Sequence, residues 1–231
     1  MRNLLQLAAI FTIATAATTH AQITNPDKLV ARPPRNPALR AKPPAEDLQW
    51  LWQYTRPSNK PSLLDDARFT TLLSDNLKAP QAMWGTGIPL SEAAYTFLGG
   101  EGIVASTDNR HLTVTGCVAD HCPQRGQLWI DIGDRNPLIV FLALRWNERS
   151  RTTDEADAPF TLWLFPSREL DAHQLPQALK AALSTFAGNH CPAPTITNVI
   201  LVDPSGIPHI LGVLEAGVQP TLCTKVSGPQ L

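Results

Sequence analysis

The sequence predicts an α+β domain: an antiparallel sheet with helices packed on one side, plus a C-terminal hairpin held by a disulfide. Three observations predict it. Strand-like stretches follow one another with only short turns between them, as neighbouring antiparallel strands do. Helical spacing falls before that run and once more near its end. The chain also carries four cysteines behind a start that reads as an export signal, and exported cysteines usually pair.

The export signal comes first in the chain. Arg2 supplies a positive charge, Leu4 to Ala17 is apolar, and Thr19-His20-Ala21 offers small residues where a signal peptidase cuts. Residues 1–21 are therefore expected to be a signal peptide, leaving a periplasmic or secreted chain. The apolar run is too short for a membrane-spanning helix and no later segment reaches that length, so no membrane span is expected after cleavage. The formal net charge is −1. With no basic run, that balance argues against a nucleic-acid partner.

Residues 22–45 are rich in proline and arginine, as in "NPDKLVARPPRNPALRAKPPAE". Proline denies this stretch helix and sheet ladders, so it reads as a disordered tether. A single domain is expected over 46–231. A short helix opens it at "PPAEDLQWLWQY", with Leu48, Leu51 and Trp52 on one face. A second follows Asp65 or Asp66, with Phe69, Leu72, Leu73 and Leu77 at helical spacing.

The middle of the chain reads as strands. "AAYTFL" is expected to be one, ending at "GGEG". "HLTVTGC" runs towards a small cysteine ring. In "QLWIDIGD", Leu128, Ile130 and Ile132 alternate with Gln127, Trp129 and Asp131, which predicts one buried face. "PLIVFLALRW" is almost wholly apolar and reads as a central strand covered on both sides. "FTLWLF" is another strand. "HQLPQALKAALSTFAG" is an amphipathic helix with Leu175, Leu179, Leu183 and Phe186 inward and Gly188 at its C-cap. "ITNVILVDPSGIPHILGVL" reads as a hairpin.

Four cysteines allow three pairings. The local pairing, Cys117–Cys122 with Cys191–Cys223, is preferred because no other thiol lies near either pair in sequence. In the chain-entropy model the larger ring stabilises by roughly 3–4 kcal/mol and the smaller by about 2. The small ring is thus a weak global staple whose main effect is to freeze a loop tip.

The common catalytic signatures are missing: no nucleophile elbow, H-E-x-x-H, P-loop or dinucleotide fingerprint is present. The chain reads as a binding protein rather than an enzyme, with no cofactor. Cys117, His121, Cys122 and His111 could offer zinc ligands, but exported thiols oxidise first and the spacing matches no common zinc knuckle, so no metal is expected.

The stretch "GCVADHCPQRGQLWIDI", followed by the apolar strand "LIVFLAL", then "TLWLF" and a helix, resembles the periplasmic inhibitor-of-vertebrate-lysozyme (Ivy-like) family over about Phe69 to Phe186. The resemblance implies an antiparallel sheet with helices on its outer side and a protruding Cys-x-x-x-x-Cys ring that enters the active-site cleft of C-type lysozyme. It implies partner-binding roles for His121 and Asp120, with Arg125 in the polar place after the ring and Val118 and Ala119 completing it. Here the ring lacks the family's basic residue and proline, and its acid and imidazole are swapped. The chemistry behind such a ring is simple. A retaining glycosidase holds two carboxyl groups across the scissile bond. An imidazole delivered between them takes the acid's proton and pairs as a cation with both, whereas Asp120 there would be repelled. The alternative reading is a non-inhibitory cell-envelope protein that keeps the fold and binds another partner.

Overall fold

The computed structural model describes residues 48–55, 62–81, 83, 87–99, 103–133, 136–146, 159–188 and 195–219. The chain divides into two units, Met1–Arg40 and Ala41–Leu231, and all described residues belong to the second. The expected signal peptide and tether, as well as Cys191 and Cys223, lie outside the described residues.

Seven strands form one sheet in the order in which they occur: β1 (Ile103–Thr107), β2 (His111–Val118), β3 (His121–Asp131), β4 (Leu138–Trp146), β5 (Pro159–Pro166), β6 (Thr195–Val202) and β7 (Pro208–Leu211). The first five are linked antiparallel, as are β6 and β7, but β5 and β6 run parallel. The sheet is therefore mixed, which corrects the expected antiparallel one. Parallel neighbours cannot be joined by a hairpin and need a crossover. Helix α3 (Gln177–Gly188) supplies it.

Helices α1 (Ala67–Asn76) and α2 (Leu90–Leu98) precede the sheet, behind a 3-10 helix at Gln49–Tyr54 and a single 3-10 turn at Leu63–Asp65. Asp66 caps α1 through its side chain, which accepts from the Arg68 N–H, and the cap fixes where the helix starts. The "AAYTFL" stretch, expected to be a strand, belongs to α2. Its buried residues Leu90, Ala93, Ala94, Phe97 and Leu98 follow helical spacing, and Pro89 fits just ahead of the first turn.

Helices pack on both faces, not on one. In β4, Ile139, Phe141 and Ala143 join a core with α1 and α2 residues such as Phe69, Leu73 and Phe97. The intervening Leu138, Val140, Leu142 and Leu144 join a second core with Leu179, Leu183 and Phe186 of α3. Strand period two sends alternate side chains to opposite faces, so β4 is buried on both faces from Leu138 to Leu144, as expected, and only Arg145 and Trp146 at its end are partly exposed. β3 is buried on both faces as well: Leu128 and Ile130 enter the first core and Trp129 the second. The one-sided burial expected there fails because α3 covers the side that would otherwise be solvated.

One close approach sets the position of α2. Gly116 of β2 pairs with Gly126 of β3, and a Cβ on Gly116 would overlap the backbone of Leu98. On Gly126 it would come within 2.8 Å of Phe97 Cβ. The glycine pair lets the end of α2 sit directly on the hairpin that carries the cysteine ring.

Candidate functional site

The ring closes the β2–β3 hairpin. Cys117 and Cys122 are bonded, with S–S 2.03 Å and Cα atoms 4.8 Å apart. Val118 pairs with His121, and Ala119 and Asp120 make the turn. Asp120 has φ 62°, in the left-handed region that Asp and Asn tolerate better than most residues. That preference gives an acid at the turn a local structural reason. The pairing then shifts register, so that Cys117 faces Arg125 across the strands.

Three of the expected site residues come together in solvent. Ala119, Asp120 and His121 are exposed, and neither Asp120 nor His121 makes a hydrogen bond or ion pair with a described residue. The other two turn inward. Val118 is buried in the core shared with α1 and α2, so it anchors the tip instead of extending it. Arg125 is only 4% exposed. Its Nη2 donates to the carbonyls of Phe186 at 2.9 Å and Ala187 at 3.4 Å, and its guanidinium lies 5.4 Å from the Phe186 ring centre. Burial lowers its pKa to about 10, which still leaves a cation at neutral pH. A cation at the last turn of α3 meets carbonyls that have no partner within the helix. Arg125 therefore ties the ring's stalk to α3 and is not part of the exposed tip. The register shift after Cys122 produced this placement, and nothing in the linear sequence announces it.

The zinc reading fails on chemistry and distance. Cys117 and Cys122 are oxidised. His111 starts the strand that Cys117 nearly ends, about 20 Å away at strand rise. No cluster able to hold a metal occurs among the described residues.

At that far end sits a group that sequence reasoning missed. Asp131 accepts from Arg110 Nε at 2.7 Å, Arg110 Nη2 at 2.8 Å and the Gly133 N–H at 2.9 Å. His111 Nε2 lies 3.7 Å from Oδ2, the oxygen that accepts from Arg110 Nη2, and the His111 ring stacks on Trp129, with ring centres 5.4 Å apart. Burial pushes the Asp131 carboxyl up, but the Arg110 and Gly133 hydrogen bonds and the nearby positive charge outweigh it and leave the pKa lowered. The only sequence signal was the register that sets His111 opposite Asp131, which appears once the hairpin is drawn.

The chain matches no family model, no curated protein and no solved structure. The likeness to the Ivy-like family therefore rests on the quoted residues alone. Among the described residues no helix is long and apolar enough to cross a membrane.

Proposed function

We propose that the chain is an exported, non-enzymatic binding module that presents its disulfide-closed tip to a cleft in another protein. One observation carries this reading: Asp120 and His121 are exposed and have no partner among the described residues, on a turn closed by Cys117–Cys122. A tip shaped before binding avoids much of the ordering cost of association. The buried Val118 and the Arg125 tie to α3 hold its base. Histidine is the residue at the tip that can donate two hydrogen bonds and carry positive charge, so a cleft lined by carboxylates fits it. The Ivy-like resemblance names the active-site cleft of C-type lysozyme as that partner. The same reading includes a Cys191–Cys223 bond holding the C-terminal segment.

The test is capture on immobilised C-type lysozyme, with a clearing assay beside it. Oxidised protein is expected to bind and inhibit, reduced protein to bind less. His121→Ala is expected to lose at least about 2 kcal/mol of binding, as a truncated hot-spot residue does. Binding is to be measured across roughly pH 5 to 8, the range in which histidines in general change charge.

A second reading is favoured by the mixed sheet and its helices on both faces, since the resemblance implies an antiparallel sheet with helices on its outer side. In this reading the chain is a cell-envelope protein that uses the same tip on a different partner. Failure of the wild-type protein to bind lysozyme anywhere in that pH range selects it.

A further inference from the structure

Away from the tip, a cleft of about 600 Å³ runs between the 3-10 helix Gln49–Tyr54, α1 and the start of β4. Small-molecule sites span roughly 300–1,000 Å³. Leu48, Leu72, Pro137 and Ile139 supply apolar lining, with Trp50 beside them. The polar lining comes from one face of α1, where Arg68, Thr71 and Asp75 recur at helical spacing, and from Asn136.

Hydrogen bonds already made within the wall decide what remains for a ligand. Arg68 gives Nε and Nη2 to Asp66, the latter at 2.6 Å, and its guanidinium lies 4.5 Å over the Trp50 ring. Its charge is thus neutralised and its plane held. Thr71 Oγ1 donates to the Ala67 carbonyl at 3.1 Å, which leaves its oxygen as an acceptor. Asn76, also in the lining, donates Nδ2 to the Leu72 carbonyl at 2.9 Å, which leaves its own carbonyl. Asp75 is exposed and accepts no hydrogen bond from a described residue. Asp75, Thr71 and Asn76 therefore offer open acceptors, beside an aromatic ring and an apolar floor.

That lining excludes two kinds of ligand. An anion would meet Asp75 while the cation lining the cleft is already held by Asp66. A wholly apolar ligand would cover acceptors without satisfying them. A molecule with many O–H donors and an apolar C–H face meets both demands. We infer that this cleft binds a neutral carbohydrate, whose hydroxyls hydrogen-bond to Asp75, Asn76, Thr71 and Asn136 while its C–H face lies on the apolar floor. The site is independent of the hairpin tip.

The experiment is calorimetric titration of the oxidised full chain with three neutral probes, chitotetraose, cellotetraose and maltotetraose, and one anionic probe, tetragalacturonate. Saturable binding of at least one neutral probe is expected, and none of the anionic one. Asp75→Ala and Asn136→Ala, both at exposed positions, should each weaken binding about tenfold, as loss of one hydrogen-bonding group does, with unchanged melting temperatures. His121→Ala should bind as the wild type does. The inference is overturned if all three neutral probes fail to bind up to about 10 mM, a concentration that already detects millimolar affinity. It is also overturned if tetragalacturonate binds better, if either cleft variant binds unchanged, or if His121→Ala abolishes binding.

Discussion

The two ends of the β2–β3 hairpin carry the same pair of side chains in opposite circumstances. At the closed end, Asp120 and His121 are exposed and have no partner among the described residues. At the other end, His111 and Asp131 are half-buried and register partners. There the carboxylate is saturated by Arg110 and Gly133, and the imidazole is stacked on Trp129. Partly buried charge must be satisfied within the fold, so the far end is spent on structure. The tip carries no such obligation. What separates it from an ordinary surface turn is the disulfide that closes it and the buried residues that hold its base.

The largest expected effect comes from breaking that base. Arg125→Ala removes the donor to the Phe186 and Ala187 carbonyls and empties a buried volume. A loss of about 3 kcal/mol is expected, read by urea unfolding with an unchanged slope. Arg125→Met keeps much of the volume and removes a desolvated charge, so it should lose less than half as much. Equal losses in the two variants would mean that the hydrogen bonds to α3, and not the packing, hold the stalk.

Arg125 also marks where the sequence stops being legible. Helix α1 could be read because Asp66 caps it and Phe69, Leu72 and Leu73 repeat at helical spacing. Strand β4 could be read because an unbroken apolar run suits a strand covered on both faces. Helix α3 and the β6–β7 hairpin were legible for similar local reasons. Helix α2 was misread, since Ala93 and Ala94 bury as well in a helix as in a strand and carry little periodic contrast. The five residues of β1, exposed at all positions but Val104, gave no pattern at all. The parallel β5–β6 pair is implicit in a strand–helix–strand order, which places a helix on the second face. The exposed tip was legible from Cys117 and Cys122. The inward turn of Val118 and Arg125 was not, because a shift of register depends on cross-strand pairing that no linear spacing encodes.

A direct comparison of the two hairpin ends is the next test. Asp131→Ala removes the carboxylate that accepts from Arg110 and Gly133 and faces the half-buried His111, and should cost roughly 1–2 kcal/mol. His121→Ala removes nothing that the fold uses and should stay within about 0.5 kcal/mol. Because the Asp131 pKa is lowered on folding, its share of stability is present above the ordinary carboxylate pKa and is lost as pH falls through the depressed folded value. Acid unfolding of Asp131→Ala should therefore converge on the wild type at low pH. Equal stabilities of wild type and Asp131→Ala at neutral pH would remove the contrast between the ends.

The smallest effect belongs to a third case, a pair with a partner but without burial. His173 Nδ1 lies 2.7 Å from Glu215 Oε1, and the histidine side chain is 80% exposed. The hydrogen bond to Glu215, followed by its charge, raises the His173 pKa above the usual 6.5. The bond to His173, then that from the Gly212 N–H, lowers Glu215 below the usual 4.5. Linkage fixes the sign for each. The histidine's contribution is complete below its unfolded pKa and fades as pH rises through the raised folded value. The carboxylate's is complete above its unfolded pKa and fades as pH falls through the lowered one. The pair is therefore at full strength between the unfolded values of Glu215 and His173, from about pH 4.5 to 6.5. Solvent screening keeps its effect on global stability small, so the readout is local. In an NMR titration His173 should titrate above 6.5, and Glu215→Gln should bring it back towards that value while the other histidines stay put. If Glu215→Gln leaves the His173 titration unmoved, the two side chains do not pair in solution, and partnership without burial stabilises nothing on this surface.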